Sequence, residues 1–267
     1  MTSTTLFQRP LTPTSSSSST EMSDAGTPLE EPNNTGALAA ALHVIRTERD
    51  ALTALEDLYE TDNVAQEGLN NAVNVISKSV SCGGKIVVSG VGKSGKIGKK
   101  VVATMNSFGI KSVFLHPTEA LHGDLGIIGD NDTMLIISFS GKTAEIFAML
   151  PYLPRGLPLI AVTSHTHPST CTLLDARPGS HSILLPAPIP VSEVQTFGVA
   201  APTTSTTVAL ALTDALAIAV ARRLHPNPSI VFQGNHPGGA IGGVSHMISV
   251  LPINGIPPST TISGPHS

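Results

Sequence analysis

Tryptophan is absent from this 267-residue sequence, and only two tyrosines and seven phenylalanines accompany that gap. So thin an aromatic complement argues against a stacking platform for single-stranded nucleic acid. Basic blocks are missing as well: 15 Lys and Arg stand against 19 Asp and Glu, for a formal net charge of −4. That balance lacks the electrostatic footprint of a nucleic-acid binder. The two cysteines, Cys82 and Cys171, fall in no paired-ligand spacing, and nothing at the start resembles a secretory h-region. Both are therefore expected to be reduced, buried thiols of an intracellular protein. No run combines the length and apolarity of a membrane span; Val208 to Ala221 comes closest but carries Asp214. What is present, 40% apolar and 13% charged residues, is the balance of an ordinary globular core in one large domain or two small ones.

Residues 1–35 are rich in Ser, Thr and Pro, without apolar periodicity, and are expected to be a disordered leader. From Gly36, Leu38, Leu42, Ile45, Leu52, Leu55 and Leu58 recur at helical spacing, and a second helical stretch follows from about Asn63 to Val80. Strands and helices then alternate. Lys85–Ser89, Ser112–Leu115, Thr133–Ser138, Leu159–Thr163 and Ser182–Leu185 are short, apolar and rich in β-branched residues. Such strands predict a doubly wound parallel five-stranded sheet with helices on both faces, preceded by two helices. Thr166 to Ser180 reads as a poorly structured excursion, Thr203 to Leu224 as a long buried helix, and 244–267 as a flexible tail. The folded domain is thus expected over 36–243.

The chain is organised around Gly84 to Gly98, where a β-branched strand runs into a glycine-rich turn and a helix that resumes near Ile97. Amide groups at such a turn can cradle a phosphate. A Walker loop would need glycine at Val87, so a nucleotide triphosphatase is excluded by spacing. Gly90-x-Gly92-x-x-Gly95 matches a dinucleotide fingerprint, yet the next strand ends in His116-Pro117 where an acidic residue should hold the ribose. A small phosphorylated ligand near Lys93 is the remaining functional reading, beside a glycine turn that serves packing alone. Two further loops offer hydroxyls and amides to an anion: Ser138-Phe139-Ser140-Gly141-Lys142-Thr143, which opens a helix containing Glu145, and Thr203 to Thr207 at a helix start.

Read together, Gly92-Lys93-Ser94-Gly95, His116-Pro117, Glu119 to Gly126, Ser138-x-Ser140-Gly141, Glu145-Ile146, Ala201 to Thr207 and His236-Pro237-Gly238-Gly239-Ala240 resemble the sugar isomerase (SIS) domains of the arabinose-5-phosphate isomerase type, from about Ala39 to Gly242. The resemblance implies an SIS fold and interconversion of an aldose 5-phosphate with its ketose, without a cofactor, in a tetramer. It implies catalytic importance for Lys93, Glu145, Glu193, His236 and His122. It also implies substrate contacts at Gly92, Ser94, Gly95, Gly109, His116, His122, Ser138, Ser140, Gly141, Thr143, Thr204 and Ser205, with His116 near an inhibitory metal site. The expected partner is a sugar phosphate, with no nucleic acid and no membrane, and a cytoplasmic location.

Moving a carbonyl from C1 to C2 needs a base for the C2 proton, a donor to polarise the carbonyl oxygen and a group to open the sugar ring. Glu193 is the favoured base and Glu145 the alternative; His122 or His236 would open the ring, and Lys93 would steady the enediolate or the phosphate. Against these stand a solvated Glu193, a turn-capping His236, and Asp124 and Glu119 as loop ties. The sequence departs from its relatives at Phe139 and Lys142, where the family pattern has Asn and Glu, which opens the identity of the sugar and leaves a non-catalytic sugar-phosphate-binding regulator as the rival. Family members commonly continue into paired CBS modules, whereas this sequence stops soon after Gly242, so regulation by that route is not expected.

Overall fold

The computed structural model describes residues 34–177 and 182–238. The leader through residue 33 and the tail at 244–267 lie outside the described residues. In chain order the elements are α1 (Asn34–Thr61), α2 (Asn63–Ser81), β1 (Ile86–Ser89), α3 (Gly92–Ser107), β2 (Ser112–Phe114) and α4 (Pro117–Ala120), then β3 (Thr133–Ile137), α5 (Ala144–Met149) and β4 (Leu159–Thr163), and finally α6 (Thr172–Asp175), β5 (Ser182–Pro186), α7 (Glu193–Phe197), α8 (Thr204–Leu224) and α9 (Pro228–Gly234). Residues 34–40 are the opening turns of α1; residues 41–238 carry the sheet and the helices around it.

Five strands pair in the order β2-β1-β3-β4-β5, all parallel, as the sequence predicts. Alternation along each strand divides the core into two layers. Ile86, Val88, Leu135, Ile137, Ile160 and Val162 face α1, α2, α3 and α8, whereas Val87, Met134, Ile136, Leu159 and Ala161 face α4, α5 and α6. Both faces are covered, which is why these strands read as unbroken apolar runs. α8 is the one helix among the described residues long and apolar enough to span a membrane, but over half of its most apolar stretch is buried, and Val208, Leu212, Leu216 and Val220 belong to the core.

Several expectations need correction. The helix after β1 begins at Gly92 rather than near Ile97, so Lys93 lies in a helical first turn. The helix expected from Thr143 to Leu153 stops at Met149 and tightens into a 3-10 turn at Leu150–Tyr152, because Pro151 cannot supply an amide to continue it. The supposed excursion after Thr166 holds a 3-10 turn at Pro168–Thr170 and then α6; Cys171 and Leu173 bury completely and drag the segment onto the sheet. Glu193 starts a short helix, α7, that the sequence reading does not include. Cys171 is buried as expected, but Cys82 is exposed, since it is the C-cap of α2 and lies beyond its packed face.

The amino edge of the sheet, opposite the carboxyl ends of the strands, is tied by Asp132. Its carboxylate is 3% exposed and accepts from Lys85 N–H (2.9 Å), Gly129 N–H (2.8 Å) and Lys85 Nζ (2.6 Å). Burial alone would raise its pKa, but the Gly129 and Lys85 hydrogen bonds and the Lys85 charge together outweigh that and hold it below the ordinary value. A carboxylate with a depressed folded pKa contributes stability that is complete above the unfolded value, about 3.9, and drains away as pH falls through the folded one. Urea denaturation should therefore show Asp132→Ala destabilised by about 2–3 kcal/mol at pH 7. The difference from wild type should shrink as the pH is taken below about 4.

Candidate functional site

β1 hands the chain to β2 on one side, and β3 lies on its other side, so the carboxyl ends of β1 and β3 flank a crevice where the winding reverses. Doubly wound sheets bind ligands at such a point. Here it holds a cavity of about 370 Å³, lined by Val91, Lys93, Ser94 and Ile97 beyond β1, Ile137 and Phe139 at the end of β3, Val162 and Thr163 of β4, Ala187 after β5, and Glu193, Ser205 and Thr206 from the starts of α7 and α8. At this carboxyl rim of the sheet, apolar side chains such as Ile97, Ile137 and Val162 stand beside the polar Lys93, Ser94, Glu193 and Ser205.

Local sequence explains the approach of α3 to that rim. Gly92 has φ +59°, open to glycine at little cost. A Cβ on Gly95 would stand 2.7 Å from the Gly90 carbonyl oxygen, so only glycine lets the first turn of α3 cross the end of β1. No side chain caps α3 from Val91, nor α5 from Thr143, whose hydroxyl instead meets Ser138 Oγ at 2.8 Å. Uncapped amides and the helix dipole favour an anion at both places.

The third helix start is already filled. Thr203 gives α8 no side-chain cap; Glu193 Oε1 takes its place, accepting from Thr203 N–H (2.7 Å), Ser205 N–H (3.0 Å) and Ser205 Oγ (2.7 Å). These donors all fall on one carboxylate oxygen, and Glu193 is among the residues that line the cavity. Glu193 is itself anchored. A capping box between Ser192 and Gln195 fixes the start of α7, and His43 of α1 reaches the Thr196 carbonyl at 3.2 Å, with its ring edge-on to Phe197. The alternative of a merely solvated Glu193 does not describe this residue.

Of the residues singled out in the sequence, Lys93, Ser94, Glu193 and Ser205 line the cavity. Gly92 and Gly95 share the same helical turn, Thr204 is buried beside Ser205, and Ser138, Ser140, Gly141 and Thr143 form the β3–α5 loop whose Phe139 lines the cavity. Others stand apart within one chain. Glu145 is exposed on α5. His116 caps α4 through the Thr118 amide, and His122 is exposed just beyond α4. Gly109 and His236 lie at the far end of α3, about 24 Å of helix from Lys93 at 1.5 Å per residue over 16 residues. Gly109, with φ +73°, is a helix-ending turn pressed on Val231, and His236 stacks on Phe232 and sits 3.4 Å from Ser107 Oγ. Among the described residues no group of three or more His, Cys, Asp or Glu could hold a metal ion, so His116 has no partners for one there. Sequence reasoning missed the apolar part of the lining and His165, which braces the β3–α5 loop; only strand-end position could have flagged the former.

A sequence profile for the SIS domain matches residues 79–219. The chain is 40% identical over 171 residues to arabinose 5-phosphate isomerase KpsF of Escherichia coli O6:H1, covering 63% of this chain and 49% of that protein. It is 39% identical over 188 residues to arabinose 5-phosphate isomerase KdsD of Salmonella typhi, covering 70% and 53%. The chain thus spans about half the length of these curated relatives. A solved structure from Escherichia coli CFT073, in complex with arabinose 5-phosphate, superposes with a TM-score of 0.63 at 36% identity, over 77% of this chain and 100% of that one.

Because Glu193 doubles as the cap of α8, its two roles separate by substitution. Glu193→Ala should lower stability by about 1–2 kcal/mol in urea denaturation. Glu193→Gln, whose amide oxygen can still accept from Thr203 and Ser205, should lie within about 0.5 kcal/mol of wild type.

Proposed function

The chain belongs to the SIS domain family, and we propose that it is an aldose-ketose isomerase of sugar phosphates, with arabinose 5-phosphate and ribulose 5-phosphate as the favoured pair. The observation that carries this reading is the meeting of Lys93 and Glu193 in one cavity at the β1/β3 switch point. The arabinose 5-phosphate isomerases among the relatives, and the arabinose 5-phosphate of the solved neighbour, are consistent with a pentose phosphate in that cavity.

In this reading the phosphate takes the uncapped starts of α3 and α5, with Ser94 on the first and Ser138, Ser140 and Thr143 assigned to it from the loop before the second, and the carbon skeleton lies against the apolar side chains of the cavity. Glu193 Oε2 removes the C2 proton. The electrons of the C–H bond form the C1–C2 double bond of an enediolate, and the charge moves to the former carbonyl oxygen, near which Lys93 supplies a positive charge. The O2 hydroxyl proton passes to O1, the C2–O2 bond becomes the new carbonyl, and Glu193 returns the proton it took from C2 to C1, which completes the ketose and leaves Glu193 ionised again. Gly92 and Gly95 admit the backbone, and Thr204 and Ser205 hold Glu193 in place. His122 or His236 is assigned to ring opening and Glu145 to a supporting acid-base role.

Glu145 and His236 lie outside the cavity of their own chain, so this assignment goes with a homotetramer in which a neighbouring copy brings His236 to the rim. Exposed Ile218 on α8 and Ile230 on α9 support a contact between copies. A cytoplasmic location follows from the same reading.

Purified protein in heavy water should equilibrate the two pentose phosphates and introduce deuterium at C2 of the aldose. Glu193→Gln should reduce kcat by about 10²–10⁴-fold while remaining folded. Binding of pentose and hexose phosphates with no turnover on any of them would reject the isomerase in favour of a non-catalytic sugar-phosphate-binding regulator.

A further inference from the structure

Nine of the fifteen residues that line the cavity are apolar, and most of its six polar side chains are already engaged within the protein. Glu193 Oε1 holds three donors, one of them Ser205 Oγ; Thr206 Oγ1 donates to the Thr203 carbonyl (2.7 Å), and Thr163 Oγ1 accepts from the His165 N–H (2.9 Å). Among the described residues, Lys93 and Ser94 are the two of the six whose side chains make no hydrogen bond or ion pair. In the isomerase reading, Lys93, Ser94 and Glu193 serve the phosphate and the C1–C2 edge. An aldopentose 5-phosphate also carries hydroxyls on C3 and C4. The C4 hydroxyl closes the ring, but the one on C3 takes part neither in ring closure nor in proton transfer. It would meet a wall that offers carbon and only the residual capacity of hydroxyls that are already bonded.

Phe139 is the aromatic member of that wall. Ile137 and Val162, also in the lining, are buried in the core, whereas Phe139 remains 38% exposed. Its main chain is fixed independently of its ring: Phe139 O accepts from both the N–H (2.9 Å) and the Oγ (2.7 Å) of Ser164, and the neighbouring Ser140 O lies 3.1 Å from His165 Nε2. A ring on so firm a base needs little ordering when a ligand covers it. Carbon laid against it leaves water, whereas a hydroxyl laid there loses its water and finds no partner. A site that hydrogen-bonds a hydroxyl rejects the analogue lacking it by about 10⁴-fold or more; an apolar wall has no such means.

We propose that Phe139 is a specificity-determining residue: its ring selects sugar phosphates that present a bare carbon face beyond C2, so that a 3-deoxy pentose phosphate is favoured over its fully hydroxylated parent. This rests on the sugar-phosphate reading above, keeps its chemistry at C1 and C2, and narrows the class of sugar.

The test compares arabinose 5-phosphate with its 3-deoxy analogue, through dissociation constants by calorimetry and kcat/KM wherever turnover occurs. Wild-type protein should favour the deoxy sugar about five- to twentyfold in both measures, as for one hydroxyl set against an apolar wall. Phe139→Asn, whose amide can bond the C3 hydroxyl, should bring that ratio to about one or below. Phe139→Leu keeps the wall apolar and should hold the ratio within about threefold of wild type. Both variants keep the main-chain bonds to Ser164, so their thermal midpoints should stay within about 2 °C of wild type. If Phe139→Asn does not fold, Phe139→Ser carries the same expectation. Wild-type protein that favours the parent or treats the two sugars alike overturns the proposal, as does an unchanged ratio in Phe139→Asn. Wild-type protein that binds neither sugar overturns it together with the reading it rests on. Binding of both without turnover rejects the isomerase alone, and the ratio of dissociation constants then decides the role of Phe139.

Discussion

Where Gly95 passes Gly90, the first turn of α3 lies nearer to the end of β1 than any side chain would allow, with an added Cβ only 2.7 Å from a carbonyl oxygen. That crossing sets the height of α3 on the sheet. From it follow the exposure of the α3 amides at the carboxyl rim and the presence of Lys93 and Ser94 at the mouth of the cavity. The seating of Val101 and Met105 against α8 and the sheet follows as well. Lys100 and Asp214 then link α3 to α8 on their outer faces. A methyl group at Gly95 would lift the helix and separate these groups together, because backbone cannot yield as the end of a flexible side chain can.

Electrostatics at the rim are divided among three helix starts. α8 takes its negative charge from within the protein, through Glu193, while α3 and α5 have no side-chain cap of their own. A carboxylate on the amides of α8 is held in one orientation by three donors to one of its oxygens. In the sugar-phosphate reading proposed above, the phosphate would take the other two starts. The cavity thus combines a fixed carboxylate, a lysine and apolar side chains in one lining. In the proposed isomerase, groups held in place before the reaction would need little reorganisation when charge develops on the carbonyl oxygen.

The short helix that carries Glu193 depends on contacts with α1, through His43 on Thr196 and Phe197. The loop opposite depends on His165, Ser164 and Thr172. Both are supports of loops by side chains distant in sequence. They explain how segments rich in Pro, Ser and Thr, which carry little apolar surface of their own, nonetheless adopt one geometry.

Local chemistry was enough to read much of this protein from its residues. β-branched runs such as Ile86–Ser89 and Thr133–Ile137 declared buried parallel strands, because both of their faces must be apolar. The glycine spacing around Lys93 declared a close strand-to-helix crossing, and the ordered motifs from Gly92 to Ala240 declared the family. What the residues alone could not reveal is set by distance across the fold. That Glu193 caps α8, that α6 buries Cys171 and Leu173, and that His165 clasps Ser140 are pairings between segments that no local pattern brings together. The separation of His236 from Lys93 is likewise a property of the length of α3 and of the side on which α9 returns, not of the spacing between the two residues. Periodicity reports which face of an element is buried; only tertiary packing decides which distant carbonyl or amide that face will meet.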